Sequence, residues 1–353
     1  MTRFLLLLLV PLAPIAHYFL AASPLWVFVA GIAAIAVLAE WIRFSTEQLA
    51  LHMGSAIGSL LTVSLGSLAE LLLALFVLTR GQADVVHAQI TGSIMGTSLL
   101  GLGLAIVIGG LRHERQRFRR ERAGLLSSLL ILVVLALLLP ALFDLTVGST
   151  MQPSDMALRD EDLSLTVSAV LLMLYGANLL YTLVTHRDVF ASGEEESAVP
   201  RWPMWACLLA LAGCTAAAAL ESELISDALA ETAKLLGITP LFLGVIVLAL
   251  VGTIADLFAA VWFARQDRMG AAMSICIGSS IQIALVVAPL LVILSWLIGS
   301  PMTLVFRNPI ELFAIAGTTF IVNAIAGDGE TTWFEGVLLI GVYVLFALAF
   351  FFV

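Results

Sequence analysis

Apolar runs of about twenty residues recur along the whole chain, near 4–22, 25–49, 57–79, 85–110, 123–143, 163–185, 204–229, 239–264, 270–299, 309–326 and 333–353. At a rise of about 1.5 Å per residue, such a run crosses the roughly 30 Å hydrocarbon core of a bilayer as a helix. With 61% hydrophobic and 12% charged residues, a soluble globular chain is excluded. The expected fold is an all-α polytopic membrane protein of about 11 transmembrane helices. A cytoplasmic N-terminus puts Arg3, the six arginines of "RHERQRFRRER" (112–122), Arg187, Arg201, Arg265 and Arg268 inside, and leaves only Arg80, Arg159, Lys234 and Arg307 outside. That asymmetry obeys the positive-inside rule. The opening "MTRFLLLLLVPLAPIAHYFLAAS" also has the make-up of a cleavable signal peptide; it is read here as a first transmembrane helix, residues 1–23.

Within the third run, "LLTVSLGSLAELLLALFVL" carries Glu70 among apolar residues. An acid near the centre of a membrane helix costs about 2.5–3.5 kcal/mol on insertion scales, so it marks a functional position by default. A second copy strengthens that reading. "LGSLAELL" (65–72) aligns with "VGTIADLF" (251–258) at an offset of 186 residues, bringing Asp256 onto Glu70. At the same offset "ITGSIMGTSLLGLGL" (90–104) falls on "CIGSSIQIALVVAPL" (276–290), with Gly92 over Gly278 and Ser93 over Ser279. The chain thus divides into a first repeat over 24–186 (helices 2–6), an acidic linker over 187–203 containing "SGEEESAVP", and a second repeat over 204–353 (helices 7–11). An odd number of helices per repeat inverts the second copy, the arrangement secondary transporters use to build a site near the midplane. Gly66 and Gly252, one turn before each acid, permit close helix approach or local unwinding.

Oxygen donors surround the two acids in sequence: Thr62 and Ser67 near Glu70, Thr253 near Asp256, and Ser93, Thr97, Ser279 and Gln282 on the helices that follow. Carboxylates with hydroxyl, amide and carbonyl oxygens, and no thiolate or imidazole cluster, suit a hard cation such as Ca2+. Two carboxylates are balanced by one divalent ion or by two protons, and their mutual repulsion brings that exchange towards neutral pH. A monovalent cation can use the same acids with fewer oxygens, so Na+ stays an alternative.

From about residue 40 onwards the chain resembles the calcium/proton antiporters, the cation/proton exchanger branch of the cation/calcium exchanger superfamily. "STEQLALHMG" (45–54), "GSSIQIALVVAPLLV" (278–292) and "WFEGVLLIGVYVLFALAFFFV" (333–353) carry the likeness. The resemblance implies that Glu70 and Asp256 are the central cation and proton ligands, that Ser279 and Gln282 are second-repeat ligands, and that Glu47 and Glu223 line the access paths. Ser67 and Thr253 replace the family's asparagines, Asp256 its second glutamate and Leu257 its histidine, while Thr62 and Thr97 stand where further asparagines are common. A hydroxyl reaches less far than an amide oxygen, and Asp is one methylene shorter than Glu.

The expected function is a secondary antiporter exchanging a cation, Ca2+ first, for protons by alternating access. A Na+/H+ or other cation exchanger of this fold is the alternative, and a non-transporting scaffold or sensor with a degenerate site is the reading from another class. The "AGDGE" at 326–330 faintly resembles an element of intramembrane aspartyl proteases but has no second aspartate in a suitable context. No enzyme activity, resident cofactor or nucleic-acid partner is expected. No Walker-type loop occurs, which argues against ATP as the energy source. The partners are the transported ion, protons and lipid, in a bacterial inner membrane, and the arginine run reads as a topology and headgroup determinant. Cys207, Cys214 and Cys276 read as small core residues. His17, His52, His87 and His186 read as interfacial or hydrogen-bonded side chains, Asn178 and Asn323 as interhelical links, and Glu311 and Glu335 as helix-start acids.

Overall fold

The computed structural model describes residues 6–20, 22–111, 113, 115–147, 153–181 and 201–353; the side chains at 54–57, 59–60, 62–63 and 153–154 are outside that set. Among the described residues, nine helices are long and apolar enough to cross a membrane. Four precede the linker and five follow it; the third expected helix, 57–79, is not among the nine because it is divided. α2 (Pro24–Gly66) runs into a break at Ser67, and α3 (Leu68–Thr79) resumes beyond it. α2 itself is no straight rod: a Cβ at Gly58 would lie 2.5 Å from the carbonyl oxygen of Ala50, eight residues back, where a straight helix would have risen about 12 Å. The chain doubles back there, at the boundary between the second and third expected helices.

Of the expected first helix, residues 1–5 and 21 lie outside the described residues; within the rest a 3₁₀ turn (Leu7–Leu9) leads to α1 (Leu12–Tyr18), an apolar helix. Pro11, which lacks a backbone donor, stands between the two.

The remaining elements follow in order. α4 (Ala83–Met95), a π-helical segment (Gly96–Gly101) and α5 (Leu102–Gly110) form one span, and strand β1 (Gln116–Arg117) precedes α6 (Arg120–Val147) and α7 (Pro153–Leu180). After the linker come α8 (Met204–Leu236), a π-helical segment (Leu243–Leu248) running into α9 (Ala249–Arg265), and α10 (Met269–Gln282), which a third π-helical segment (Ile283–Val287) joins to α11 (Ala288–Ile298). α12 (Pro309–Ala326), β2 (Glu330–Thr331) and α13 (Trp333–Phe351) complete the chain. Thr332 and Glu335 close a capping box at the start of α13, which accounts for that acid.

Packing sorts these elements into two compact units that do not follow the repeats. The first comprises residues 1–81 and 173–240, in which α8 packs on α1, α2 and α3. Of the linker, 187–200 lie outside the described residues, but Arg201–Pro203 dock on α2. The Arg201 amide donates to Gln48 Oε1 at 2.8 Å, Trp202 stacks against Phe44, and the carbonyl of Trp202 bonds to His52 Nε2 at 2.8 Å.

The second unit comprises 82–172 and 241–353. Its tightest crossing pairs α4 with the π-helical segment 243–248: a Cβ at Gly92 would collide with the carbonyl of Val245, and one at Gly244 would lie 2.8 Å from that of Val85. The loop after α11 is buried and pinned by side chains. Ser295 Oγ accepts from Met302 N at 2.8 Å, Ser164 Oγ from Leu304 N at 2.9 Å, and His87 Nε2 bonds to the Thr303 carbonyl at 2.7 Å. Ser127 Oγ bonds to Asn323 Oδ1 at 3.0 Å, linking α6 to α12. At one end β1 and β2 pair antiparallel, and the buried Gln116 donates to the Ile106 carbonyl at 2.9 Å. His186 and the remainder of its segment lie outside the described residues. The three cysteines are free thiols.

Gly92→Ala would push against the Val245 backbone and the Ala249 Cβ, neither of which can swing aside, so it is expected to cost about 1–3 kcal/mol, as core overpacking does. Thermal unfolding in detergent checks this, and an unchanged midpoint contradicts the crossing.

Candidate functional site

In the first unit, Glu70 is buried in the first turn of α3, directly after the break at Ser67. The break places the acid in the first turn of a helix, where the helix dipole favours negative charge. Gly66 has open space where a side chain would stand, so of its two expected roles the unwinding is the one realised. Ser67 is the half-buried turn residue itself. The side chain of Thr62 lies outside the described residues.

The two acids expected to line access paths each meet an arginine. Arg43 Nε donates to Glu47 Oε1 at 3.0 Å, one turn apart on α2. Arg80 bridges to Asp227 at 2.7 Å and to Glu223 at 3.7 Å, with these side chains roughly half exposed. The neighbouring acid Glu221 points elsewhere and is buried.

In the second unit, Asp256 is half-buried on α9, and Ser279 Oγ on α10 donates to its Oδ2 at 2.7 Å. That bond joins two of the sequence-predicted ligands directly. α9 crosses the first π-helical segment beside them: a Cβ at Gly96 would lie 3.7 Å from Thr253 Oγ1, and one at Gly101 would lie 3.2 Å from Leu257. Thr253 is buried, and its hydroxyl donates back to the Ala249 carbonyl at 2.9 Å. α9 continues unbroken through Gly252 and Thr253, where the first repeat breaks at Ser67. Gln282 is the last residue of α10, at the junction with the third π-helical segment. Ser93 is fully buried on α4, and its carbonyl accepts from Thr97 Oγ1 at 2.8 Å.

Two residues absent from the sequence-based set complete a buried hydroxyl cluster. Ser280 Oγ lies 2.6 Å from both Thr97 Oγ1 and Ser98 Oγ, binding α10 to the first π-helical segment. The repeat register could not flag them, since Ser280 falls over Ile94 and Ser98 over Ala284. Their signal was local: adjacent hydroxyls, Thr97–Ser98 and Ser279–Ser280, on two apolar spans. The π-helical turns, which recur at functional sites, stand at the same places and re-aim side chains by one extra residue per turn.

The matching family model is the sodium/calcium exchanger protein, over residues 23–184 and 206–352. Among similar proteins, the Ca(2+)/H(+) antiporter of Synechocystis sp. is 38% identical over 98% of this chain and 96% of its own length. The Ca(2+)/H(+) antiporter of Aphanothece halophytica is 37% identical over 98% and 95%, and the Ca(2+)/H(+) antiporter ChaA of Bacillus subtilis is 36% identical over 90% and 89%. The solved structure of native YfkE superposes with a TM-score of 0.85 at 31% identity, covering all of both chains. The H+/Ca2+ exchanger CAX shares the fold at a TM-score of 0.71 and 18% identity, over 99% of this chain and 92% of that one. The chain is a polytopic helical membrane protein, and it belongs to the sodium/calcium exchanger protein family.

Ser280→Ala leaves the hydroxyls of Thr97 and Ser98 without their shared partner in an apolar interior. A loss of about 1–3 kcal/mol is expected, read as a lower unfolding midpoint. Ser98→Ala, which removes one bond and leaves Thr97–Ser280 in place, is expected to lose less.

Proposed function

We propose that the chain is a Ca2+/H+ antiporter, with Glu70 and Asp256 as the acids that bind the cation and the protons. The observation that carries the reading is Asp256 accepting from Ser279 across two helices, at positions that recur in the repeat register with further oxygen donors nearby in sequence. A carboxylate oriented by a hydroxyl keeps its other oxygen and its remaining lone pairs for a hard cation, and that hydroxyl can turn its own lone pairs to the ion once the cation replaces the proton. Thr253 and Ser67 stand as the nearest hydroxyl donors to the two acids in sequence, and Ser93, Thr97 and Gln282 as supporting ligands; Thr62 is proposed from sequence alone. The near full-length likeness to proteins named Ca(2+)/H(+) antiporters supports the choice of ion and counter-ion.

With their arginines bound, Glu47 and Glu223 act in this reading as acids whose carboxylates become available when those ion pairs open. The protein needs no resident cofactor and no ATP, since the proton gradient supplies the work. The charge asymmetry supports a cytoplasmic N-terminus in a bacterial inner membrane, with lipid headgroups met by the arginines of 112–122.

The test is purified protein in sealed proteoliposomes with an imposed pH gradient, screened with Ca2+, Na+, K+ and Mg2+. Proton-driven Ca2+ flux is expected, and flux of Na+ alone would overturn the choice of ion. Glu70→Gln and Asp256→Asn should each lower Ca2+ flux by at least about a hundredfold, the scale of losing a charged ligand pair worth about 3 kcal/mol, with the protein still inserted. Wild-type flux in either variant would remove that acid from the mechanism.

A further inference from the structure

Glu221 stands midway along α8, is 1% exposed, and neither of its carboxylate oxygens has a hydrogen-bond partner among the described residues. It faces α2 at Gly31, where a Cβ would lie 3.5 Å from Glu221 Oε2 and 2.7 Å from Ile225 Cγ1. Ile225 fills the space left by the missing side chain of Gly31, and the Glu221 carboxyl lies against the same glycine at van der Waals distance. Nothing else in the mechanism uses this acid. Its neighbour Glu223, two residues on and turned to a different face, is half exposed and held by Arg80.

An ionised carboxylate in such a place has lost its water and gained no donor, whereas the neutral acid loses far less on burial. The charged and titratable groups on the elements packed against α8 do not change this. On α1 these are His17 and Tyr18. On α2, Glu40, Arg43, Glu47 and His52 follow Gly31 by nine residues or more, at least about 13 Å along a helix, and Arg43 is bonded to Glu47. On α3 the group is Glu70, and on α8 itself Glu223 and Asp227 share Arg80, with Glu231 and Lys234 further along.

We propose that Glu221 is a proton-binding site of the transport cycle in its own right, separate from Glu70 and Asp256. Its carboxyl holds a proton while it is packed against α2 at Gly31, and exchanges it in the state of the cycle in which water reaches that face of α8. This rests on the antiport reading and adds one carried proton to it.

Two measurements test the proposal on the full-length protein. In proteoliposomes with the membrane potential clamped at zero and a fixed Ca2+ gradient, the pH difference that nulls net Ca2+ flux varies inversely with the number of protons exchanged per ion. Glu221→Gln, the neutral isostere of the protonated acid, is expected to raise that nulling pH difference by the amount that one fewer proton requires. An unmoved null point would overturn the proposal. Infrared spectra of the wild-type protein should also contain the carbonyl band of a protonated carboxyl that Glu221→Gln lacks. The absence of such a difference would overturn it as well, even if the variant carries no flux. Failure of the antiport reading looks different: the wild-type protein would show no proton-driven Ca2+ flux, whereas the infrared comparison depends on no transport at all.

Discussion

A carboxylate inside a bilayer has to be answered, by a donor, a cation or a proton, and the architecture of this chain follows from how each buried acid is answered. Glu70 stands in the first turn of the helix that restarts after the break at Ser67, where the dipole favours its charge. Asp256 is answered by a hydroxyl from the next helix. Glu223 and Asp227 share an arginine, and Glu335 is tied into a capping box. Only where the answer can be exchanged, a hydroxyl or an amide for an ion, does an acid become useful for transport. An arginine-bound acid is neutralised before any ion arrives.

The two repeats carry the same pattern but solve it differently, and the difference traces to single residues. In the first, Gly-Ser at 66–67 lets the helix end and restart, placing Glu70 in a first turn. In the second, Thr253 bonds back to its own helix, α9 stays unbroken, and Asp256 leans on Ser279 instead. The glycines that align in the register diverge too. Gly92 sits at a backbone crossing with no room for a methyl group, whereas its counterpart Gly278 faces open space. A shared ancestral pattern thus does not impose a shared packing.

Much of the fold was legible because span length and hydropathy are enforced residue by residue in a bilayer. The family resemblance and the oxygen-rich pair of motifs could be read for the same reason, since polar residues are costly there and few occur without purpose. The doubling back near Gly58 was legible only as a gap between two apolar runs, and the break at Ser67 only as a glycine with two open roles. The π-helical turns had no signature at all, because one extra residue per turn leaves composition unchanged. Ser98 and Ser280 were missed because the register compared the repeats with each other, while these two residues meet each other across spans. The burial of Glu221 was not legible in sequence, since only the opposing surfaces, Gly31 for it and Arg80 for Glu223, decide which of the two is buried.

The central claim is that cation and protons compete for the same carboxylates, Glu70 and Asp256. Initial Ca2+ flux measured against Ca2+ concentration at several pH values, on the side from which the ion binds, tests it directly. Shared occupancy predicts that acidification raises the half-saturating Ca2+ concentration with little change in maximal rate. A maximal rate that varies with pH at constant half-saturation would instead place the protons on groups the cation never touches, and would contradict the account.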